Sequence, residues 1–203
     1  MKLSFININD VSDREIGEWT AELSEKKRES ISRMKQPQKA ALRIAADALC
    51  RRAIAAETGI SARDVIFGEN PYGKPETNGV NFSVSHSGSI AVCAVSEHPI
   101  GVDAEEIRHV RPEVAKRFAC DDELMYIGDS SVRLLEIWTL KEAYFKCIGT
   151  GLGSDIKSVS FTVADSGIIC SRDGFKCRFV KIADGYICAV CEKIWEDDNH
   201  AQH

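Results

Sequence analysis

Two stretches far apart in the chain spell nearly the same strand. Ile90-Ala-Val-Cys-Ala-Val-Ser-Glu97 is echoed by Tyr186-Ile-Cys-Ala-Val-Cys-Glu192, and each lies late in its half of the chain. Each half also carries a long helical pattern that stops near a glycine followed by an apolar residue, Gly59-Ile60 and Gly151-Leu152. Two sources give such an echo: a chance similarity of two hairpin strands, or one supersecondary unit used twice, which must be built and packed twice. Apolar strands need a surface to pack on, and the long helix of each half supplies it. The expected class is α+β, with two similar halves related by a pseudo-twofold, each a long helix packed on a small antiparallel sheet. The halves are placed at residues 1–99 and 100–195, and the polar stretch 196–203 is expected to be a disordered tail.

The local signals fill in this frame. Met1 to Ile8 alternates as a first strand, and Ser12-Asp-Arg-Glu15 is a capping box that starts a helix. A second helix is expected over Glu25 to Met34. Pro37 suits the first turn of a long helix reaching Thr58, with Leu42, Ala45, Ala46, Leu49, Ala53 and Ala56 on its apolar face and Gly59 as its stop. Asp64 to Phe67 reads as a short strand and Asn70 to Pro75 as a loop. Asn81 to Val84 and Ser89 to Ser96 are strands joined by a turn at Ser85-His-Ser-Gly88, and Ile100 to Glu105 is a third. Pro112 to Phe118 and Asp121 to Ile127 read as helical. Leu134 to Ile148 is a strong helix carrying Leu135, Trp138, Leu140, Phe145 and Ile148 in its apolar set. Strands follow near Ser158 to Val163, Phe175 to Ile182 and Tyr186 to Glu192.

Composition excludes some functions. The net charge of −5 argues against a nucleic-acid partner. No apolar run is long enough to span a membrane. Met1 to Phe5 lacks a basic segment followed by a long apolar one, so no secretory leader is expected and the cytosol is the expected address. In that compartment the eight cysteines read as buried, reduced thiols. Cys188 and Cys191 form a C-x-x-C, but residues three apart on a strand point to opposite faces and clamp a metal poorly.

Four segments can carry chemistry. In Ile100-Gly-Val-Asp103-Ala-Glu105, strand alternation puts Asp103 and Glu105 on one face. Paired carboxylates repel unless a cation or proton intervenes, and hard oxygen ligands suit Mg²⁺ joined to substrate phosphates. In Trp138-Thr-Leu-Lys141-Glu142-Ala-Tyr-Phe-Lys146, Glu142 and Lys146 share a helix face within apolar surroundings. Lys74 sits in the turn Gly73-Lys-Pro75, where it can meet a phosphate. His86 stands beside the hydroxyls of Ser85 and Ser87. A serine hydrolase would want a G-x-S-x-G elbow, and the chain has none there. Taken singly, each of these segments is more often a solvated strand face, a helix-surface ion pair or a loop histidine.

In order and spacing they resemble the Sfp-type phosphopantetheinyl transferases, over most of the chain from Lys26 to Cys191. Gly73-Lys-Pro75 is similar to that family's turn near coenzyme A. Asn81 to Gly88 is similar to its F-N-x-S-H-S-G signature and Ile100 to Glu105 to its I-G-x-D-x-E signature. Ala115-Lys-Arg-Phe118 followed by Glu123 is similar to its A-x-R-F-x-x-x-E stretch. Trp138 to Leu152 is similar to W-x-x-K-E-x-x-x-K-x-x-G-x-G-L. The resemblance implies an active site between the two halves. It implies that Asp103, Glu105 and Glu142 surround Mg²⁺, and that Glu142, Lys146 and His86 are catalytic. Coenzyme A would be held by Lys74, Pro75, Ser85, His86, Lys141 and Lys146. Arg33 and Arg43, with Lys26 in the same basic run, would serve its adenosine and 3′-phosphate end; the family's helix arginine falls on Leu42, with Arg43 one residue on.

The reaction implied is transfer of the phosphopantetheine arm to a serine of an acyl or peptidyl carrier protein, releasing adenosine 3′,5′-bisphosphate. Glu142 is the candidate base for the serine hydroxyl. Two rivals use the same residues: a Mg²⁺-dependent phosphohydrolase acting on coenzyme A or a nucleotide, and a non-catalytic carrier-binding module. Two fused halves supply a whole cleft, so a monomer is expected. Lys116 and Arg117 form a basic pair suited to an acidic carrier.

Overall fold

The computed structural model describes residues 1–153 and 155–195; the expected tail at 196–203 lies outside the described residues. The first half opens with β1 (Lys2–Asn7). Ser12 then caps α1 (Asp13–Glu22): Glu15 N donates to Ser12 Oγ, and Ser12 N donates to Glu15 Oε2 at 2.9 Å. After α2 (Glu25–Ser32), Pro37 opens α3 (Pro37–Thr58), which Gly59 ends at φ 75°. The buried side of α3 is wider than its spacing implies. Ile44, Ala45 and Ala48 pack on Trp19, Leu23 and Ile31 of the short helices. Cys50 and Ile54 pack toward Phe82 and Cys93, and Leu42 and Ala46 toward Ala91. Ala56, expected on the apolar face, is exposed because the helix outruns its cover.

Asp64 to Phe67 is not a strand. A 3-10 turn, Ala62–Asp64, leads instead to β2 (Gly68–Glu69), which pairs with β3 (Pro75–Glu76). Arg51 Nη1 takes the Val65 carbonyl at 2.7 Å and removes it from sheet pairing. β4 (Asn81–Ser87) and β5 (Ile90–Ser96) follow. Ser85, His86 and Ser87 stay in the ladder, opposite Val92, Ala91 and Ile90, so the turn shrinks to Gly88-Ser89.

The second half runs β6 (Ile100–Glu106), a 3-10 helix over Pro112–Arg117, α4 (Asp121–Ile127) and α5 (Ser131–Ile148). Ser130 accepts from Arg133 N and starts α5 a turn earlier than its apolar pattern indicates. Ile148, expected in its core face, is exposed. A hairpin, β7 (Phe161–Ala164) and β8 (Gly167–Cys170), precedes β9 (Phe175–Phe179) and β10 (Tyr186–Lys193). β8 was not expected, and β9 ends earlier than expected.

The repeat is topological as well as textual. The two three-stranded sheets run β1-β5-β4 and β6-β10-β9, so the last strand of each half is the middle strand of its sheet. The echoed segments are those two middle strands, and both are mostly buried, which is why both read as continuous apolar runs. Gly101 seats α5 on β6: a Cβ there would lie 1.9 Å from the Ala143 carbonyl oxygen and 2.4 Å from Cys147 N. Ile90, Val92 and Ala94 of β5 share a core with Val102, Ala104 and Val190 of the second half.

The reading of all eight cysteines as reduced thiols needs correction at one pair. Cys177 and Cys191 face each other directly across β9 and β10, their Cα atoms 4.3 Å apart, and form a disulfide. Pairing register, invisible in the spacing, puts both on one face. Cys188 and Cys191 do point oppositely, into different cores.

Candidate active site

The halves meet where β4 lies along β6. Alternation on β4 puts Ser83, Ser85 and Ser87 on one face, and all three reach β6. Ser83 Oγ accepts from Val102 N at 3.0 Å, and Ser87 Oγ accepts from Glu106 N at 3.1 Å. The constant offset makes the strands parallel, joined by hydroxyls rather than by a backbone ladder. Ser85 Oγ donates to Asp103 Oδ1 at 2.7 Å.

Asp103 is buried at 5% exposure. Its Oδ1 also accepts from Lys146 Nζ of α5 at 2.7 Å. Its Oδ2 is buried with no hydrogen-bond partner. Burial pushes the Asp103 carboxyl up, and Lys146 and Ser85 partly offset that. Glu142, one helical turn before Lys146, is pushed up to about 7, first by burial and then by the Asp103 charge, with Glu105 adding and Lys146 opposing. On Glu105, Trp138 Nε1 donates to Oε1 at 3.1 Å, while Ser87 Oγ and Arg108 Nη1 donate to Oε2 at 3.1 and 2.7 Å. His86 stands exposed next along β4. Desolvation by the surrounding chain lowers its pKa, and the charges of Lys146 and Arg43 add to the effect.

His86 also lines a cleft of about 990 Å³ in the first half. Its walls include Lys26, Lys27, Arg43, Arg51 and Arg63, with Gly73 of the turn between β2 and β3 and Pro75 at the start of β3. Asp47, 3% exposed, braces the basic wall: Lys27 Nζ lies 2.5 Å from Oδ2 and Arg51 Nε 2.6 Å from Oδ1. Both cations also sit over the Phe67 ring. His86 links the cleft to the acids: it lines the cleft, and the charges of Asp103 and Lys146 act on it.

The structure draws Pro75, His86, Arg43 and Lys26 to the cleft, and brings Asp103, Glu105, Glu142 and Lys146 together. Four expected coenzyme A contacts, Lys141, Arg33, Lys74 and Ser85, have other partners. Lys141 is fully buried; it pairs with Glu123 at 3.0 Å and donates to the carbonyls of Ile156 and Val159, so it holds the second half together. Arg33, the C-cap of α2, has a side chain 79% exposed, pairs with Glu29, and is not among the residues that line the cleft. Lys74 turns its Nζ to the Ile100 carbonyl at 3.2 Å, and burial lowers its pKa. Ser85 orients Asp103. Leu42 is core, while Arg43, the next residue, lines the cleft along with Arg51 of the same helix. Lys27, Arg51 and Asp47 were not among the candidate residues read from the sequence. The signal was present: an acid four residues before an arginine shares its helix face.

Residues 99–191 match the 4′-phosphopantetheinyl transferase superfamily. A 4′-phosphopantetheinyl transferase of Bacillus subtilis is 31% identical over 184 residues, covering 84% of this chain and 82% of the relative. The chain belongs to the 4′-phosphopantetheinyl transferases. The transferase is also 27% identical over 194 residues to the one named Sfp in Bacillus subtilis strain 168, covering 89% and 87% of the two chains. Among solved structures, Thermotoga maritima holo-[acyl-carrier-protein] synthase matches with a TM-score of 0.40 and 23% identity, over 47% of this chain and 62% of that one. Among the described residues no helix of the transferase is long and apolar enough to cross a membrane.

The acids of the transferase fit a divalent cation. The buried, unpartnered Oδ2 of Asp103 is an orphan oxygen that a cation would satisfy, and Glu142 is an acid whose charge nothing on α5 fully balances. Among the described residues no three His, Cys, Asp or Glu side chains form a ready cage. Protein cations stand on Asp103 and Glu105 instead.

Proposed function

We propose that this transferase moves the phosphopantetheine arm of coenzyme A onto a serine of an acyl or peptidyl carrier protein, and that the cleft and the acids together are where it does so. The observation that carries this is the position of His86, which lines the basic cleft beside Arg43 and also lies within reach of the charges of Asp103 and Lys146. Lys26, Lys27 and Arg43 match the negative adenosine and 3′-phosphate end of coenzyme A. Lys146 and His86, at the far end, face the pyrophosphate and offset the charge that moves to the leaving group. Asp103, Glu105 and Glu142 would hold Mg²⁺, which supplies further positive charge at the pyrophosphate. Glu142 would take the proton of the carrier serine.

The bond that forms joins the serine oxygen to the phosphorus next to the pantetheine arm. The bond that breaks releases adenosine 3′,5′-bisphosphate. The test is incubation with coenzyme A, Mg²⁺ and a panel of apo carrier proteins, read by intact mass. One phosphopantetheine mass should appear on the carrier only when coenzyme A and Mg²⁺ are both present. Equal cleavage of coenzyme A without any carrier would instead establish a phosphohydrolase.

A further inference from the structure

Glu105 is the most heavily engaged of the three acids, and its donors differ in kind. Trp138 and Ser87 are neutral and sit on α5 and β4, so they aim the carboxylate without balancing its charge. Arg108 is a cation on the loop after β6, 2.7 Å from Oε2, with its side chain 52% exposed while that of Glu105 is 17% exposed. The same Nη1 also donates to the Glu106 carbonyl at 3.1 Å. Half in water, this guanidinium can leave at small cost. A divalent cation approaching Oε2 meets a guanidinium already bonded to that oxygen, and both cannot hold it at close range.

We propose that Arg108 is a positioning residue that competes with the divalent cation for Glu105, and so sets how tightly that cation is held. The proposal rests on the reading that Asp103, Glu105 and Glu142 hold the metal. It assigns separate tasks along the site: Trp138 and Ser87 fix the direction of Glu105, and Arg108 fixes its availability. Lys146 plays no equivalent part on Asp103, since it occupies Oδ1 and leaves Oδ2 without a partner.

The test measures Mn²⁺ binding to the full chain with coenzyme A present, by the loss of the free-ion paramagnetic resonance signal. Arg108→Gln keeps a donor but removes the charge, and should bind Mn²⁺ about fivefold more tightly, the scale of one half-exposed ion pair. Arg108→Lys should return the affinity toward the wild-type value. In a Glu105→Gln background, Arg108→Gln should change nothing, because the contact it competes for is gone. Melting curves accompany each variant. Unchanged or weaker binding by Arg108→Gln, a lysine variant as tight as the glutamine one, or the same tightening in the Glu105→Gln background would each overturn the proposal. In those cases stoichiometric binding by the wild type would leave the metal reading standing. Absence of wild-type binding would sink both.

Discussion

Glu142 and Asp103 sit within one cluster but differ in what their loss should do. Burial raises the Glu142 pKa from the ordinary 4.5 to about 7. A carboxyl raised on folding binds its proton more tightly in the native state, so its contribution to stability is full below 4.5 and is lost as pH rises through 7. In EDTA, the melting temperature of the wild type should therefore fall more between pH 5 and pH 8 than that of Glu142→Gln, which carries no charge to bury. The variant should be the more stable of the two at pH 8, and equal slopes would show that Glu142 is not desolvated in solution. Its carrier modification should be lost mainly in turnover, and excess Mg²⁺ should not restore it. Asp103→Ala removes a metal oxygen instead. Its Mg²⁺ midpoint should rise, and high Mg²⁺ should recover part of the activity. Full rescue of Glu142→Gln by metal would demote Glu142 to a ligand.

At the scale of elements, α5 carries two lysines with opposite duties, five residues apart and hence on different faces. Lys141 points into the second half, where Glu123 of α4 also accepts from Cys120 N and Phe161 N. Removing the lysine leaves a carboxylate buried without its counter-charge. Lys141→Met should therefore cost about 3–5 kcal/mol of stability, read as a collapse in denaturant midpoint. Lys146 stands at the partly exposed end and is the counter-charge of buried Asp103, so Lys146→Met should lower the midpoint less than Lys141→Met does while abolishing transfer. A variant Lys141→Met that melts normally would contradict the buried pair. Gly101 explains why the placement is so fixed: with α5 seated on β6 at backbone contact, Asp103 and Lys146 have little room to drift apart.

At the scale of the whole molecule, the two sheets are joined by side chains, and the site lies in that seam. Ser83, Ser85 and Ser87 stitch β4 to β6, while Asn70 Nδ2 donates to the Gly149 carbonyl and ties the turn after β2 to the end of α5. The basic cleft belongs to one half and the acids to the other, so neither half contains the proposed site alone. Beyond the acids, Lys116 and Arg117 stand exposed on the 3-10 helix over Pro112–Arg117. With the chain at net −5, such a local basic pair is available to an acidic carrier. Reversing both to glutamate should slow carrier association, more so at low salt. A carrier Michaelis constant unchanged at low ionic strength would remove this helix from the docking surface.

The sequence by itself determined the elements and the acids. Caps at Ser12, Pro37 and Gly59 and the periodicity of α3 and α5 are local properties, so their placement was legible within a turn or two. Asp103 and Glu105 were legible as a pair because strand alternation needs only a separation of two residues, and Glu142 with Lys146 because helical spacing needs only a separation of four. Contacts made across long separations were decided by tertiary structure. The cross-strand partner of Cys191 depends on the register of β9. The fates of Lys141 and Lys74 depend on which surface covers them: α4 and the chain before β7 enclose the first, and the Ile100 carbonyl captures the second. The same holds for Asp47, whose role exists only once α2 brings Lys27 beside α3. Charge on a side chain is written in the sequence; whether that charge meets solvent, a partner or a substrate is set by what the fold packs against it.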